Sequence, residues 1–281
     1  MKPTIFHKSQ LCYFLLGISI VQAWISHNQK LPYTSSSLSS SSSSFAKCVT
    51  TPPFLAVITE PTSCDSEEKM ESAIKAITSA VSTQKVLIVS VRIAKTDMID
   101  EKTLESRVKR FTNKIIELAK VNKFYVVVSS DWLHTVEVKM PVGIHVKENH
   151  RSKIPAIRQR FGPDFLLGTS AHSIESAVEA VSKYSPDYLF VGTCYKTASH
   201  PEKETEDLEG PELPGQVRRV LQEKYDLSSP IVLAIGGIDE ENCRSPVLEY
   251  GADGVAAIRS ILSSTNPAET VLQMQSKMQH L

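Results

Sequence analysis

The amino-acid sequence predicts a single (β/α)8 barrel, and three observations lead to that fold class. Short runs of Val, Ile and Leu alternate with amphipathic stretches from Pro52 to the end of the 281-residue chain. The apolar runs are continuous, which is typical of parallel strands that are buried on both faces. Eight such runs, each followed by helical sequence, fill about 230 residues, close to the roughly 250 residues typical of this barrel.

The predicted elements alternate in order along the chain, each strand an apolar run and each helix the amphipathic stretch after it. We expect strands over residues 54–59, 86–93, 124–129, 142–146, 165–169, 188–192, 231–235 and 254–257. We expect helices over residues 67–82, 101–121, 152–161, 174–184, 216–225, 240–250 and 267–279, with a short helical stretch near Trp132. An open doubly wound sheet is the alternative, but the first strand-to-helix turn lacks its Gly-x-Gly-x-x-Gly sequence.

Composition excludes several classes of protein. The chain has 31 basic and 31 acidic residues, 41% hydrophobic residues and five cysteines. These values exclude a collagen-like, wholly disordered or disulfide-dense chain. A net charge of zero argues against a nucleic-acid binder, which would need a basic face. No acidic residue precedes Glu60, so the N-terminal segment is basic and the rest of the chain is mildly acidic.

The first 50 residues have the composition of a targeting leader rather than of a folded domain. Residues 11–21 are almost wholly apolar, too short a run to span a bilayer, which takes roughly 20 residues. Residues 35–44 contain nine serines and no acid, as transit peptides do. We therefore expect a disordered leader over 1–50 that directs the chain to a plastid, and a barrel over 51–281. Mitochondrial import, the secretory pathway, an unprocessed membrane anchor and a disordered serine-rich tail are the alternatives.

The cysteines predict neither a disulfide framework nor a zinc site. Two of the five, Cys12 and Cys48, lie in the predicted leader. The remaining three, Cys64, Cys194 and Cys243, have no Cys-x-x-Cys spacing and are odd in number. A reduced compartment follows from this pattern.

A phosphate site is predicted after the last two strands. The seventh strand runs into Gly236 and Gly237, and the eighth into Ile258 and Arg259. Glycines let backbone N–H groups approach an anion closely, and the loops after strands seven and eight form a phosphate site in many such barrels. The Arg259 guanidinium adds a charge that can hold phosphate in two hydrogen bonds. Tight-turn glycines and a salt-bridged arginine are the structural alternative.

Four motifs in the second half of the chain resemble the thiamine phosphate synthase/TenI family. Residues 143–146 read Gly-Ile-His-Val, 168–173 Gly-Thr-Ser-Ala-His-Ser, 234–238 Ala-Ile-Gly-Gly-Ile and 251–255 Gly-Ala-Asp-Gly-Val. The resemblance extends over about residues 53–265 and implies a TIM barrel that binds a thiazole phosphate. Synthases of this family join that compound to a pyrimidine pyrophosphate with magnesium. TenI-type members instead move a double bond in the thiazole ring, or have no settled reaction.

The chain departs from the synthase pattern where the family binds pyrophosphate and magnesium. The family sequence Gln-x-Arg-x-Lys is reduced to Arg92, which the resemblance makes a substrate-binding residue. The two family aspartates that hold magnesium are replaced by Ser130 and His150. Asp131 and Glu148 are the nearest substitute ligands, although Mg²⁺ prefers a full set of hard oxygen ligands. Magnesium is thus expected only if the chain is a synthase, and no other cofactor is expected.

Further candidate residues follow strands five and six. Ser170 matches a family ligand position, although serine at a strand end is also an ordinary helix cap. The family sequence Gly-Pro-x-x-x-Thr-x-Thr-Lys becomes residues 192–200, in which Thr197 and Ser199 retain hydroxyls and His200 replaces the lysine. We expect these three residues to bind substrate. The proline-bounded insert that follows, residues 201–214, is interpreted either as a lid or as a solvated surface loop.

His172 is the candidate proton-transfer residue. It follows strand five, where TenI-type members carry the group proposed to move the proton. An imidazole that titrates near pH 6.5 suits both the removal and the return of a proton at neutral pH. The alternative is a histidine bound to the scaffold, the role we assign to His145, which apolar strand residues flank.

These inferences combine into one expected function with two alternatives. We interpret the body as a TenI-like enzyme that binds a small phosphate-bearing molecule and transfers a proton through His172. A divergent synthase that uses Arg92 with relocated metal ligands is the first alternative, and a non-catalytic phosphate-ligand sensor is the second. We expect no membrane partner for the body, and a homo-oligomer is left open.

Overall fold

The computed structural model describes residues 51–97, 99–137, 142–162, 165–198, 204–225 and 230–279. The expected leader over residues 1–50 lies outside this part of the chain. Among the described residues, no helix has both the length and the apolar character that crossing a membrane requires.

Eight parallel strands close into one barrel, which confirms the predicted (β/α)8 TIM fold. The strands are β1 (Phe54–Ile58), β2 (Ile88–Val91), β3 (Tyr125–Ser129), β4 (Val142–Val146), β5 (Leu167–Ala171), β6 (Tyr188–Val191), β7 (Ile231–Ile235) and β8 (Gly254–Ala257). They follow one another around the barrel in chain order, and β8 closes it by pairing with β1. All of their carboxyl ends therefore lie at the same end of the barrel.

Helices follow the strands on the outside of the barrel. They are α1 (Glu67–Ser82), α2 (Glu101–Asn122), α3 (Ile154–Phe161), α4 (Ile174–Tyr184), α5 (Leu213–Tyr225), α6 (Arg259–Leu262) and α7 (Pro267–Met278). Short 3-10 helices span Ser130–Trp132, Glu148–Lys153 and Thr205–Asp207. Side chains cap the longer helices: Ser66 accepts from the Lys69 amide and Ser173 from the Ser176 amide. Such caps satisfy amides that have no partner within the helix.

The helix expected over residues 240–250 is wrong. Only one turn of π-helix forms there, at Ser245–Glu249. Upstream of it, the Asp239 carboxylate accepts from the Glu241 and Asn242 amides, and the Asn242 side chain donates to the Gly237 carbonyl. Asp and Asn side chains that bind nearby backbone groups offer the chain an alternative to the helix.

The barrel interior is a packed apolar core rather than a channel. Nine of its ten buried members come from β1, β2, β3, β6, β7 and β8, and Leu166 directly precedes β5: Ala56, Ile58, Ile88, Val127, Leu166, Tyr188, Phe190, Ile231, Leu233 and Ala256. Further apolar clusters fill the space between the strands and the surrounding helices. Polar strand side chains such as Ser90, Ser129 and Ser170 line the cavity at the carboxyl ends of the strands.

Two carboxylates, the buried Asp187 and the partly buried Asp253, lie at the opposite end of the barrel. Asp187 accepts from the Leu167 amide at 2.7 Å. Asp253 accepts from the Val232 amide at 2.8 Å and from Arg218 Nε at 3.0 Å. Burial raises the pKa of Asp253. Because both groups bind strand amides, we assign them to stability, the usual role of this end of such barrels.

The three cysteines of the body are free and buried. Burial raises the pKa of Cys64 and of Cys194 to about 12 and that of Cys243 to about 11. A thiol with such a pKa is protonated at neutral pH and therefore a weak nucleophile.

Candidate active site at the barrel mouth

A cavity of about 1090 Å³ opens at the carboxyl ends of the strands. The predicted site residues that line it are Arg92, Glu148, Ser170, His172, Thr197, Gly236, Gly237, Ile258 and Arg259. Ser199 and His200 lie outside the described residues. The cavity thus collects residues from the ends of β2, β4, β5, β6, β7 and β8, as the topology requires.

The paired glycines after β7 bring bare backbone to the cavity wall. Gly236 and Gly237 have φ angles of 101° and 64°, a region that favours glycine. A Cβ on Gly237 would lie 2.6 Å from the Lys196 carbonyl oxygen, and one on Gly236 would lie 2.5 Å from Thr193 Cγ2. Among the described residues, neither glycine amide donates to another backbone group. Both amides are therefore suited to an anion in the cavity.

Two guanidinium groups face the same cavity. Arg259 begins α6, and its Nε lies 3.6 Å from Glu60 Oε2. Arg92 follows β2 directly, and its backbone is held by two hydrogen bonds with the Thr59 hydroxyl. Burial and the charge of Arg259 lower the pKa of Arg92. Glu60 offsets only one of the two positive charges of Arg92 and Arg259. The remaining positive charge would stabilise an anion in the cavity.

His145 lies at the floor of the cavity in a hydrogen-bonded chain. Its Nδ1 is 3.0 Å from the Tyr188 hydroxyl, and its Nε2 is 3.0 Å from Ser170 Oγ. Burial, together with the charges of Arg92 and Lys147, lowers the pKa of His145 to about 3. The ring is therefore neutral at physiological pH. The structural role expected for His145 agrees with these bonds, but the sequence did not reveal that it also lines the cavity.

His172 stands between two carboxylates at the cavity mouth. It follows β5 directly, and its side chain is 47% exposed. Its Nε2 lies 3.8 Å from Glu148 Oε2, and its Nδ1 lies 3.6 Å from Glu209 Oε1. Glu209 was not among the residues expected from the sequence, because it belongs to the insert after β6, far along the chain.

Glu148 is held in place by neighbouring side chains. Its Oε1 accepts from the Ser176 hydroxyl and lies 4.0 Å from Arg151 Nη1. Arg151 is buried and also donates to the Thr169 hydroxyl at 3.2 Å. The second oxygen, Oε2, is buried and has no hydrogen-bond partner among the described residues. It is the oxygen that faces His172.

Asp131, one of the two substitute magnesium ligands, is paired with other side chains in this structure. Asp131 lies outside the cavity lining, and its Oδ2 is 2.9 Å from Lys147 Nζ while its Oδ1 is 3.6 Å from His150 Nδ1. Although burial opposes it, the hydrogen bond and charge of Lys147 hold the pKa of Asp131 below its usual range. In the described part of the chain, no three His, Cys, Asp or Glu side chains form a metal-binding group. A lysine ammonium thus stands beside the Asp131 carboxylate, whereas Mg²⁺ would need several oxygen ligands there.

Comparison with known proteins connects this chain to one family. The family described as thiamine monophosphate synthase matches residues 55–261. The thiamine-phosphate synthase of Bacillus licheniformis is 34% identical over 137 residues, which are 49% of this chain and 56% of that protein. That of Geobacillus kaustophilus is 37% identical over 125 residues, 44% of this chain and 51% of that protein. The chain therefore spans about half the length of the curated relatives it matches.

Solved structures support the fold alone. The thiamine phosphate pyrophosphorylase from Pyrococcus furiosus is 21% identical, with a TM-score of 0.58 over 80% of this chain and 95% of that one. The orotidine 5'-phosphate decarboxylase from Pyrococcus horikoshii is 13% identical, with a TM-score of 0.52 over 80% of this chain and all of that one. At such identities, the shared feature is the barrel.

Proposed function

We propose, from the premise that the chain belongs to the thiamine monophosphate synthase/TenI family of thiamine biosynthesis, that it is a TenI-like enzyme. In this proposal it binds a thiazole phosphate in the cavity and moves a proton from one position of the ring system to another. The double bond moves with the proton, and no atom is gained or lost. The reaction needs a group that removes a proton and returns it, and it needs no redox partner.

The observation that carries the proposal is the position of His172. The ring stands at the cavity mouth, partly exposed, with a carboxylate near each nitrogen. An imidazole exchanges protons readily near neutral pH, so that one side chain serves as both base and acid. By contrast, His145 is neutral, and both of its nitrogens are already bonded within the protein. His172 is therefore the better candidate for the proton transfer.

The phosphate would bind at the other side of the same cavity. The amides of Gly236 and Gly237 and the guanidinium of Arg259 are the donors that we assign to it, and Arg92 adds a second positive charge. Charged donors of this kind form the stronger hydrogen bonds to phosphate oxygens. We assign Ser170 and Thr197, which also line the cavity, to the thiazole side of the ligand.

A divergent synthase is the second candidate, and Arg92 is the observation that favours it. This arginine stands at the family position for the pyrimidine pyrophosphate, and its side chain faces the cavity. The position of Asp131 argues against the synthase, because Lys147 and His150 stand beside this carboxylate, one of the two that would have to bind the metal. We therefore place the TenI-like reaction first.

One set of assays separates the candidates. The full-length chain is given the thiazole phosphate isomer with the displaced double bond in D2O, and deuterium uptake and the rearranged product are followed by mass spectrometry. We expect rearrangement that His172→Gln lowers at least about 100-fold, a typical contribution of acid–base catalysis. His134→Gln, which changes an exposed histidine paired with Glu105, is the matched control.

The second arm supplies the thiazole phosphate and the pyrimidine pyrophosphate with and without Mg²⁺. Magnesium-dependent formation of thiamine phosphate would overturn the TenI-like assignment in favour of the synthase. Binding of thiazole phosphate without turnover in either arm would favour a sensor.

We also propose that residues 1–50 direct the chain to a plastid. The support is the apolar run over 11–21 followed by the serine-rich, acid-free stretch over 35–44. A fluorescent protein fused behind residues 1–50 tests this address. A reporter that stays in the cytosol, or that enters mitochondria or the secretory pathway, would contradict it.

A further inference from the structure

We propose that Glu209 is a positioning residue for His172. Glu209 favours the imidazole tautomer that has its proton on Nδ1 and its Nε2 lone pair toward the cavity. The proposal rests on the proposed function in one respect, namely that His172 moves the proton. It makes Glu209, which belongs to the insert after β6, a part of the active site. The argument depends on where each ring nitrogen faces and on how each carboxylate is held.

The two nitrogens of His172 face different surroundings. Nε2 lies on the side of Glu148, which lines the cavity, and Nδ1 lies on the side of Glu209, which does not. Nδ1 therefore faces the protein scaffold, and Nε2 is the nitrogen that a bound ligand can reach. A proton acceptor for the ligand must carry its lone pair on Nε2, which requires the proton to be on Nδ1.

The Glu209 carboxylate is fixed by the backbone at the end of β6. Its Oε2 accepts from the Thr193 amide at 2.6 Å, and the Glu209 amide donates in return to the Thr193 carbonyl oxygen at 3.1 Å. The Gly210 amide donates to the same oxygen at 3.3 Å. With its side chain only 16% exposed, Glu209 can move little, and it presents its other oxygen, Oε1, to His172 Nδ1.

An ionised carboxylate can only accept hydrogen bonds. With Glu209 Oε1 at 3.6 Å, the Nδ1 position favours an N–H that points at that oxygen, since a lone pair there would face negative charge. The separation exceeds hydrogen-bond length, as is common for catalytic groups before a ligand binds. Closure by less than 1 Å, well within side-chain motion, would complete the bond.

Glu148 completes the arrangement on the cavity side. Its Oε2 is buried, has no hydrogen-bond partner among the described residues and lies 3.8 Å from Nε2. When His172 has taken a proton from the ligand, Nε2 carries an N–H that can donate a hydrogen bond to this oxygen. The pair of carboxylates thus gives each ring nitrogen an acceptor in the protonated state. In the neutral state both carboxylates compete for the one ring proton, and we expect Glu209, which is nearer at 3.6 Å and fixed by the Thr193 amide, to hold it on Nδ1.

The test is a substitution that reverses the polarity at Nδ1 with little change of shape. In Glu209→Gln, the amide oxygen can keep the bond from the Thr193 amide, which turns the –NH2 group toward His172. A donor at Nδ1 favours the other tautomer, with the proton on Nε2. Glu206→Gln is the matched control, because Glu206 is exposed on the same insert.

The readout is the ¹⁵N chemical shift of both ring nitrogens in the full-length chain labelled with [¹⁵N]histidine, at a pH where the imidazole is neutral. We expect the Nδ1–H tautomer to predominate in the wild type and in Glu206→Gln, and the Nε2–H tautomer to predominate in Glu209→Gln. An Nε2–H tautomer in the wild type would overturn the proposal even if the variant fails to fold. An unchanged tautomer in a folded Glu209→Gln protein would overturn it as well.

Turnover of the thiazole phosphate gives an independent readout. We expect Glu209→Gln to lower kcat by roughly 10- to 100-fold, less than the loss of the acid–base group itself, with little change of KM. A rise of KM at unchanged kcat would point to ligand binding instead and contradict the proposal. If the tautomer reverses but no variant turns over the thiazole phosphate, the proposed function fails while the role of Glu209 stands. If the wild type turns over and the tautomer does not respond, only the inference fails.

Discussion

The aromatic ring of Tyr188 occupies the space in which a side chain at Gly168 would lie. A Cβ at Gly168 would be 1.9 Å from Tyr188 Cζ. Since β5 has no side chain at this point, the tyrosine from β6 crosses over it and reaches His145 on β4. The glycine of this family-like motif is therefore needed for packing beneath the site, and not for a turn.

Gly168→Ala should destabilise the barrel. An added methyl group would force the Tyr188 ring out of place, and overpacking of this kind costs about 1–3 kcal/mol. Urea unfolding of the variant measures this loss. Tyr188→Leu removes the obstructing ring, so the double variant should lose less than the sum of the two single losses. Additive losses in this double-mutant cycle would contradict the contact.

The stability of the protein should depend on His145 below neutral pH. Burial and the charges of Arg92 and Lys147 lower its pKa to about 3 in the folded state, against about 6.5 in the unfolded chain. Between these values only the unfolded state takes up the proton, so the free energy of unfolding should fall as the pH falls. The expected slope is up to about 1.4 kcal/mol per pH unit below pH 6.5, with no contribution above it.

Urea unfolding from pH 7.5 to pH 4 checks this dependence. His145→Gln, which keeps hydrogen-bonding capacity without a charge, should flatten the curve relative to the wild type. Since the carboxylates titrate in both proteins, the difference between the two curves isolates His145. The exposed His134→Gln serves as the control. Parallel curves for the wild type and His145→Gln would refute the prediction.

Arg259→Gln should weaken phosphate binding. The loss of a charged hydrogen-bond donor costs about 1.5–3 kcal/mol, which raises Kd by roughly 10- to 100-fold. Titration calorimetry with the thiazole phosphate, and with inorganic phosphate as a simpler probe, measures the change. Arg219→Gln is the control, because Arg219 is exposed on α5 and does not line the cavity. Equal losses in both variants would mean that Arg259 acts only through net charge.

Magnesium should not stabilise the wild-type protein. The ammonium of Lys147 lies 2.9 Å from the Asp131 carboxylate, so a divalent cation would meet a positive charge there and too few oxygen ligands. We expect no dose-dependent rise of Tm with MgCl2, with or without thiazole phosphate. Ser130→Asp combined with His150→Asp restores carboxylates at the two family positions and should introduce such a rise. A dose-dependent rise of Tm with MgCl2 in the wild type would contradict the prediction.

Much of the fold follows from the sequence alone. Strands buried on both faces must be continuous apolar runs, and the apolar runs over 142–146, 231–235 and 254–257 coincide with β4, β7 and β8. The helix predicted over 240–250 failed because Asp239 and Asn242 bind local backbone groups, and such bonds do not appear in hydrophobic periodicity.

At the active site, too, some features could be predicted from the sequence and others could not. In a parallel barrel the carboxyl ends of all strands lie at one mouth. Residues that directly follow a strand, such as Arg92 and His172, must therefore lie near that mouth. By contrast, Glu209 lies beside His172, and Lys147 pairs with Asp131, because of how the loops pack and how the side chains are oriented. Contacts between residues distant in sequence set those directions, and therefore only the tertiary structure decided them.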